Sequence, residues 1–381
     1  MSAPGCGRAA SACERCLRRA WLLAELSAPL DFLAGDRERL IGVLSLGDEQ
    51  LLKAVAGRRR VALATEYARF SAGRPCADAR IEQVCGHQAS FPHALTGAWA
   101  PHLLYAASGA RRLERLAAER VVAIVGSGRA SDYGIEVAKS LARGLAAAGV
   151  TVAGALRDGI ARAAHAGALE VEAGTIAVIQ DGLGVGCPVR HQQLYRRIGQ
   201  KGCAVSELPG NCRGRRWGAL ASERIVVGLA EATVVVEAED SPRELAAART
   251  AQALGRPVAA LPGRVTSPRS TGTHVLLVEG APLIRGVEAV LELLHQPADG
   301  DAVALAVAGR ADGSLRLAPR LRGMLERVAA GCDTPERLTA EGADIQDVLL
   351  ALTELELMGL LARGDGGRYV LRGTPAKRPS G

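Results

Sequence analysis

Aromatic side chains are scarce: Phe, Tyr and Trp together make up 3% of the 381 residues, against 48% apolar residues overall. A core of that composition has to be assembled from Ala, Leu and Val, small residues that suit helices packed on a parallel sheet. No run approaches the roughly 18 uninterrupted apolar residues of a membrane-spanning helix. The N-terminal stretch "MSAPGCGRAASACERCLRRAW" carries charge where a secretory signal needs its hydrophobic segment, so a cytoplasmic location and no membrane partner are expected. Also missing at any telling spacing are a Ser-His-Asp set, a metal-binding helix and a Walker lysine. Asp181, His165 and His191 stand isolated and read as structural. No enzyme activity, no catalytic residue and no cofactor are expected.

What is present favours an anionic partner. The formal net charge is +7, supplied mostly by Arg. Nine cysteines, an odd number scattered over a chain of intracellular character, read as reduced thiols. Cys13 and Cys16 form C-x-x-C, and "VCGH" supplies Cys85 and His87 far downstream. Together they make a four-residue set of the kind zinc takes, but one C-x-x-C at a helix start also arises by chance and the second pair is no standard knuckle. The spacing leaves zinc open, and no metal is assigned from it.

The chain divides into regions by pattern. Residues from about Cys13 to Gly57 show helical periodicity, and residues 58–119 add a helix and a proline-punctuated stretch, so 1–117 is expected to be a helical domain with its connector. From Val121 to about Leu294 strands and helices alternate. The predicted strands are "VVAIV", "VTVAG", "TIAVI", "CAVSE", "TVVVEA" and "PVAAL". Five or six strands in a βαβ series imply a Rossmann-like, doubly wound, mostly parallel sheet over 118–296. Ligands of such sheets sit beyond the carboxyl ends of the strands, which directs attention to the loops "GSGRAS", "GALRDGIARAAH", "QDGLGVGCPVRH", "ELPGNCRGRRWGALASERI", "EDSPRELAAART" and "LPGRVTSPRSTGTH". A linker is expected over 297–317. Three short helices and a glycine-turned strand pair over 318–373 then read as a winged helix. Its third helix carries Asp344, Asp347, Glu354 and Glu356 with no Lys or Arg. Phosphates would repel that helix, so the domain is read as a protein-interaction module, with Arg363 and Arg368 the basic residues of its wing.

The first strand runs straight into Gly126 and Gly128, and the apolar positions Ile135, Ala138, Leu141 and Leu145 that follow have a helical period. Ser131 or Asp132 is placed to cap this helix and Gly149 to stop it. The helix therefore presents its N-terminal amides at a glycine turn, a geometry that attracts anions. The spacing G-x-G-x-x-S puts Ser131 where a dinucleotide site wants a third glycine, and Asp158 lies too far into the next loop to hold a ribose. A phosphate or nucleic-acid backbone site and a purely structural turn both remain open. After Glu207, the residues Arg213, Arg215, Arg216 and Trp217 set guanidiniums beside an aromatic ring, the pairing single-stranded nucleic-acid grooves use. A solvated basic loop is the alternative.

Taken in order, "AIVGSGRASDYG", "AVSELP", "VVVEA" and "LPGRVTSPRSTGTHVLLVEGA" resemble the DprA (Smf) family of DNA-processing proteins. The resemblance implies a small helical N-terminal domain, a Rossmann-like domain and often a C-terminal winged helix. It further implies binding of single-stranded DNA, homodimerisation through the Rossmann-like domain, and delivery of the RecA recombinase onto the strand in transformation or recombination. The departures are specific. The family's first-loop arginine position holds Gly128, with Arg129 one step later; S-G-L-A-R-G-I-D becomes "GALRDGIA", setting Asp158 at an arginine position and Ala161 at an aspartate, with Arg157 adjacent. F-P-x-R-N-R becomes "ALASER", with Ala219, Ser222 and Glu223 at the aromatic, Arg and Asn positions and only Arg224 kept. The S-G-S loop is replaced at Pro242 to Glu244 and the late asparagine by His274, while Arg216 stands where the resemblance implies a lysine.

The expected DNA site is therefore Gly126, Ser127, Arg129, Arg157, Arg213, Arg215, Arg216, Trp217 and Arg224. Arg129 and Arg216 lie nearest the family's site, the other arginines widen it, and the helix amides after Gly126 hold a phosphate. Two other readings stay open: a scaffold that keeps the fold but not the ligand, and a nucleotide hydrolase using Asp158 with Asp181 or Glu207.

Overall fold

The computed structural model describes residues 12–70, 81–171 and 174–295, and between 321 and 371 all but 322, 325–326, 329–333, 340–344, 358–360 and 364–368. The chain falls into two compact units, 1–298 and 299–381. The expected linker over 297–317 and the wing residue Arg368 lie outside the described residues.

The first unit begins with helices α1 (Glu14–Glu25), α2 (Ser27–Asp31), α3 (Arg37–Leu44), α4 (Asp48–Val55) and α5 (Arg60–Ala68). Their leucines, among them Leu22, Leu26, Leu30, Leu40 and Leu51, form a core that also takes in Leu208, Trp217 and Ala221 from much later in the chain. Strands β1 (Glu82–Cys85) and β2 (Leu103–Ala106) follow, then α6 (Ala110–Ala118). The alternating βα series is β3 (Val121–Val125), α7 (Asp132–Ala147), β4 (Thr151–Ala155), α8 (Ile160–Ala168), β5 (Thr175–Val178), α9 (Gln192–Lys201), β6 (Cys203–Ser206), α10 (Arg215–Leu229), β7 (Ala232–Val235), α11 (Ala246–Ala253) and β8 (Val258–Ala260), with α12 (Thr271–Val278) and α13 (Val287–His295) closing it.

The eight strands form one sheet in the order β1-β2-β6-β5-β4-β3-β7-β8. From β6 to β8 every pairing is parallel, whereas β2 meets both β1 and β6 antiparallel. All six strands expected from the apolar runs are present. The sheet is two strands wider than that, because "EQVC" and "LLYA" from the expected connector extend its edge. Four-residue strands next to prolines give no readable period, and it is pairing that makes them strands.

Alanine decides how the faces close. Ala138, Ala142 and Ala146 of α7 and Ala163, Ala164 and Ala168 of α8 are buried against Val122, Val152 and Val234, so both helix axes approach the sheet closely. On the other face, α6 and α10 pack over Ala123, Ala153, Ile176 and Val205. Ser131 caps α7, its hydroxyl accepting from the Gly134 amide at 3.0 Å, and Gly149 ends the turn after it at φ +81°. Among the described residues no helix is long and apolar enough to cross a membrane.

The second unit contains α14 (Pro335–Thr339), α15 (Ile345–Leu357) and the antiparallel pair β9 (Leu361–Arg363) and β10 (Tyr369–Leu371), around a core that includes Leu338, Leu352, Leu355 and Tyr369.

Candidate nucleic-acid interface

β4, β5 and β6 lie to one side of β3, and β7 and β8 to the other. The chain winds from β3 out to β6 and then crosses back to β7 on the other side of β3, and at that reversal the carboxyl ends of the strands open a crevice. A cleft of about 640 Å³ occupies it. Its wall runs through Val125 at the end of β3, Ala155 at the end of β4 and Ile179 just after β5, and it is rimmed by the loops carrying Arg129, Arg157, Arg190 and Arg243.

Gly126 turns the chain at φ +154°, and a Cβ there would stand 2.4 Å from the Glu237 carbonyl oxygen, so only glycine fits. The amide of Ser127 donates to that same carbonyl at 2.7 Å. Its buried hydroxyl donates to Glu244 Oε1 at 2.9 Å and accepts from the Arg129 amide at 3.1 Å. Part of the anion position at the start of α7 is taken from within. Glu237, itself buried, accepts from both the amide and the hydroxyl of Ser131, and Gly134 leaves the space its carboxylate occupies. Of the amides expected to hold a phosphate, those of Ser127, Arg129, Ser131 and Gly134 are thus taken by the chain itself. A carboxylate of the chain already takes the favourable end of the helix dipole.

The remaining expected residues separate into three groups. Arg129 and Arg157 line the cleft; Arg129 is exposed, and Arg157 is half-buried and donates to Glu223 Oε1 at 2.8 Å. Arg213, Arg215 and Arg216 are exposed but line no part of the cleft. Arg216 instead faces α2, where Asp31 Oδ1 accepts from the amides of Arg216 and Trp217 at 2.8 and 3.2 Å and so caps α10. Arg215 starts that helix at φ +52°.

Trp217 and Arg224 form the third group, and burial rules out a role for either in contacting DNA. Trp217 is fully buried among the leucines of the N-terminal helices, its Nε1 donating to Ser27 Oγ at 3.0 Å, so neither ring face is open to a base. Arg224 is 2% exposed and makes a two-pronged pair with Glu207 at 2.7 and 2.9 Å, with further bonds to the Trp99 and Ala221 carbonyls. Every donor group of that guanidinium points into the protein.

Two arginines that sequence reasoning passed over line the cleft, and one of them is paired. Arg190 Nε donates to Asp158 Oδ2 at 2.8 Å, and His191 Nε2 lies 3.4 Å from Oδ1 of the same carboxylate. The aspartate standing at an arginine position of the family pattern is thus neutralised from a different loop. Arg243, on the loop between β7 and α11, lines the cleft opposite. Among the described residues, the guanidiniums of Arg129 and Arg243 have no hydrogen-bond partner. Both arginines lie in loops that the strand-end argument marks out, which was the available signal.

The cleft's carboxylates are mostly engaged. Asp181 accepts from the Gly214 amide at 2.8 Å, and Glu244 from Ser127 and the Glu239 amide. Glu207 lines no part of the cleft, so it makes no pair there with Asp158. Two cleft carboxylates are not fully engaged: that of Glu239 lines the cleft without a hydrogen bond or ion pair among the described residues, and Glu223 gives one oxygen to Arg157 while its Oε2 is buried without a partner. Burial pushes the Glu223 carboxyl above its ordinary range, against the pull of Arg157, Arg37 and Arg243.

The model of the family described as DNA recombination-mediator protein A matches residues 82–295. A putative DNA processing protein DprA of Mycobacterium tuberculosis is 36% identical over 276 residues, covering 70% of this chain and 68% of that protein. Protein Smf of Escherichia coli is 34% identical over 258 residues, covering 66% of this chain and 68% of that one. The fold is shared with the X-ray structure of DNA processing protein A from Streptococcus pneumoniae at a TM-score of 0.57 and 24% identity, over 74% of this chain and 98% of that chain. From the family match over the sheet and the identity to curated relatives, the chain belongs to the DNA recombination-mediator protein A family.

Proposed function

We propose that the protein binds single-stranded DNA along the carboxyl edge of the sheet and mediates recombination by presenting that strand to a RecA-type recombinase, without catalysing a reaction. The observation that carries this is the pair of unpartnered guanidiniums, Arg129 and Arg243, on a cleft whose other two arginines are held by Glu223 and Asp158. They are the cations a phosphate meets without first breaking an ion pair. Arg157 and Arg190 line the same walls but are engaged by Glu223 and Asp158. Arg213 and Arg215 are exposed on the loop entering α10 and would lengthen the basic track beyond the cleft.

The rest of the assignment follows the family. Helices α1 to α5 act as a support, and the sheet from β1 to β8 with its covering helices is the DNA-binding part. The second unit is a winged helix used for protein contacts, since α15 carries Asp347, Glu354 and Glu356. A homodimer through the sheet domain is supported by apolar side chains near edge strand β8: Val278, 88% exposed, ends the helix packed on it, and Leu283, 48% exposed, bridges to Ala260. The protein works in the cytoplasm, where recombination takes place.

The occupied helix terminus favours a second reading, a scaffold that retains the fold and has given up the DNA. Equilibrium binding to a fluorescent single-stranded oligonucleotide across a salt series separates the two. Affinity that falls with salt, and a shallower slope in the R129A/R243A variant, support the DNA reading; wild type binding no better than that variant supports the scaffold.

A further inference from the structure

We propose that Cys13, Cys16, Cys85 and His87 bind one structural zinc ion that fastens helix α1 to edge strand β1. The four donor atoms, three thiol sulfurs and an imidazole nitrogen, all lie within 4.8 Å of one another. His87 Nδ1 is 3.4 Å from both Cys13 Sγ and Cys16 Sγ. In a tetrahedral zinc site with Zn–S of about 2.3 Å and Zn–N of about 2.0 Å, ligand atoms stand roughly 3.5–3.8 Å apart. A disulfide, by contrast, brings two sulfurs to about 2.05 Å and leaves the other two ligands unused. Cys13, Cys16 and Cys85 are all free thiols.

Two unrelated pieces of backbone are shaped for this meeting. Cys13 is the N-cap of α1, in extended conformation, and Cys16 lies on the first turn, so the C-x-x-C spacing aims both sulfurs off one side of the helix start. Cys85 ends β1, and the chain then turns sharply. The Gln88 amide donates to the Cys85 carbonyl at 2.9 Å, the Gln88 side chain accepts from the Cys85 amide at 2.7 Å, and the Gly86 amide donates to the His102 carbonyl at 3.0 Å. That turn swings His87 back over the two helix thiols, 71 and 74 residues away in sequence.

The surroundings define the kind of site. Cys16 and Cys85 are buried beside Ala12, Ala20, Leu103 and Tyr105, and His87 closes the solvent side. Four protein ligands leave no position for water or substrate, as in structural rather than catalytic zinc. On binding, each thiol gives its proton to solvent as its S–Zn bond forms, neutral His87 donates the Nδ1 lone pair, and no electron is transferred. Three thiolates on a divalent cation leave a net charge of −1. The clasp joins α1 to the outermost strand and so steadies the helices that hold the α10 cap through Ser27 and Asp31.

The test uses the full chain, purified in reductant without chelator, with metal measured by mass spectrometry and ligation by X-ray absorption. About one zinc per chain with a three-sulfur, one-nitrogen shell is expected. Metal content should fall at least tenfold in C85S and H87A, stay near one in the control C187S, and be retained in H87C, which restores four ligands and so separates ligation from folding. Cobalt substitution should give the absorption bands of a tetrahedral thiolate site, and these should be lost in C85S. A folded wild-type chain that carries less than about a tenth of an equivalent after refolding with excess zinc overturns the proposal. So does bound iron with sulfide, or zinc that persists undiminished in both C85S and H87A.

Discussion

The carboxylate of Glu237 accepts from the amide of Ser131 at 2.8 Å and also from its hydroxyl, so a residue at the end of one strand's run seals the start of a helix that follows a different strand. Two bonds to a buried carboxylate make this a coupled unit rather than an ordinary cap. E237Q is expected to lower unfolding free energy by about 1–3 kcal/mol and S131A by about 1 kcal/mol, with the double variant losing less than their sum. Urea denaturation of the three proteins measures the coupling. G134A should also destabilise despite alanine's higher helix propensity, because its Cβ would stand 2.4 Å from a Glu237 oxygen.

Removing Arg129 and Arg243 takes away two cations that no carboxylate holds by a hydrogen bond or ion pair among the described residues. The slope of log K against log salt for single-stranded DNA should become shallower by about 1.4 in R129A/R243A, at about 0.7 per phosphate contact. The pair R213A/R215A, outside the cleft, should change the slope less. Fluorescence anisotropy at four or five salt concentrations decides the ranking.

Glu223 opposes the proposed function by holding Arg157. In E223Q the arginine regains its full charge toward the cleft, and DNA affinity should rise several-fold at low salt. Stability has its own sign. The folded-state pKa of Glu223 lies above its unfolded value, so ionisation costs the folded protein stability as pH rises through that window. E223Q should accordingly match or exceed wild-type stability at pH 7 and lose that advantage in acid. Denaturation midpoints at several pH values give the comparison.

His165 is fully buried beneath Gly154, and burial pushes its pKa down to about 4 from 6.5. Its Nδ1 lies 2.9 Å from Thr175 Oγ1 and its Nε2 has no partner. Because the unfolded chain takes up the proton first, stability held above about pH 6.5 should be lost progressively toward pH 4, to a total of about 3 kcal/mol. The buried His191, also shifted down by burial, adds in the same direction. H165N should flatten the pH dependence of the unfolding free energy between these limits, and an unchanged dependence would remove His165 as its source.

Arg224 should behave as a folding residue. R224A leaves Glu207, 6% exposed, as an unpaired buried charge and should cost about 3–5 kcal/mol. R224K cannot reproduce the two-pronged pair and should recover only part of that loss. Thermal unfolding reads both, while oligonucleotide affinity per folded molecule should stay within about twofold of wild type, as expected for a residue far from any phosphate.

How far the sequence could be read varies by residue. "VVAIV" and "TVVVEA" declare themselves, because strands buried on both faces are continuous β-branched runs. "EQVC" and "LLYA" do not, being too short for a period and defined only by their partners. Arg215, Arg216 and Trp217 looked like one stacking patch because they are neighbours in sequence. Helix α10 instead turns Trp217 inward and Arg216 outward, one residue apart. The loss implied by Asp158 was real at its own position but invisible in its remedy, since Arg190 is 32 residues away.

By itself the sequence determined the order of strands and helices from Val121 onward, the glycine turn at Gly126, a cap at Ser131 or Asp132, and the family. Each of these rests on interactions within a few residues, which the local pattern encodes. Only the tertiary structure decided which charges are free. Asp31 reached Arg216, Glu223 reached Arg157, and Glu237 reached the Ser131 amide across 185, 66 and 106 residues of chain. Ion pairing depends on separations of a few ångströms and on the burial that sets the local dielectric, and neither quantity exists until the chain has folded.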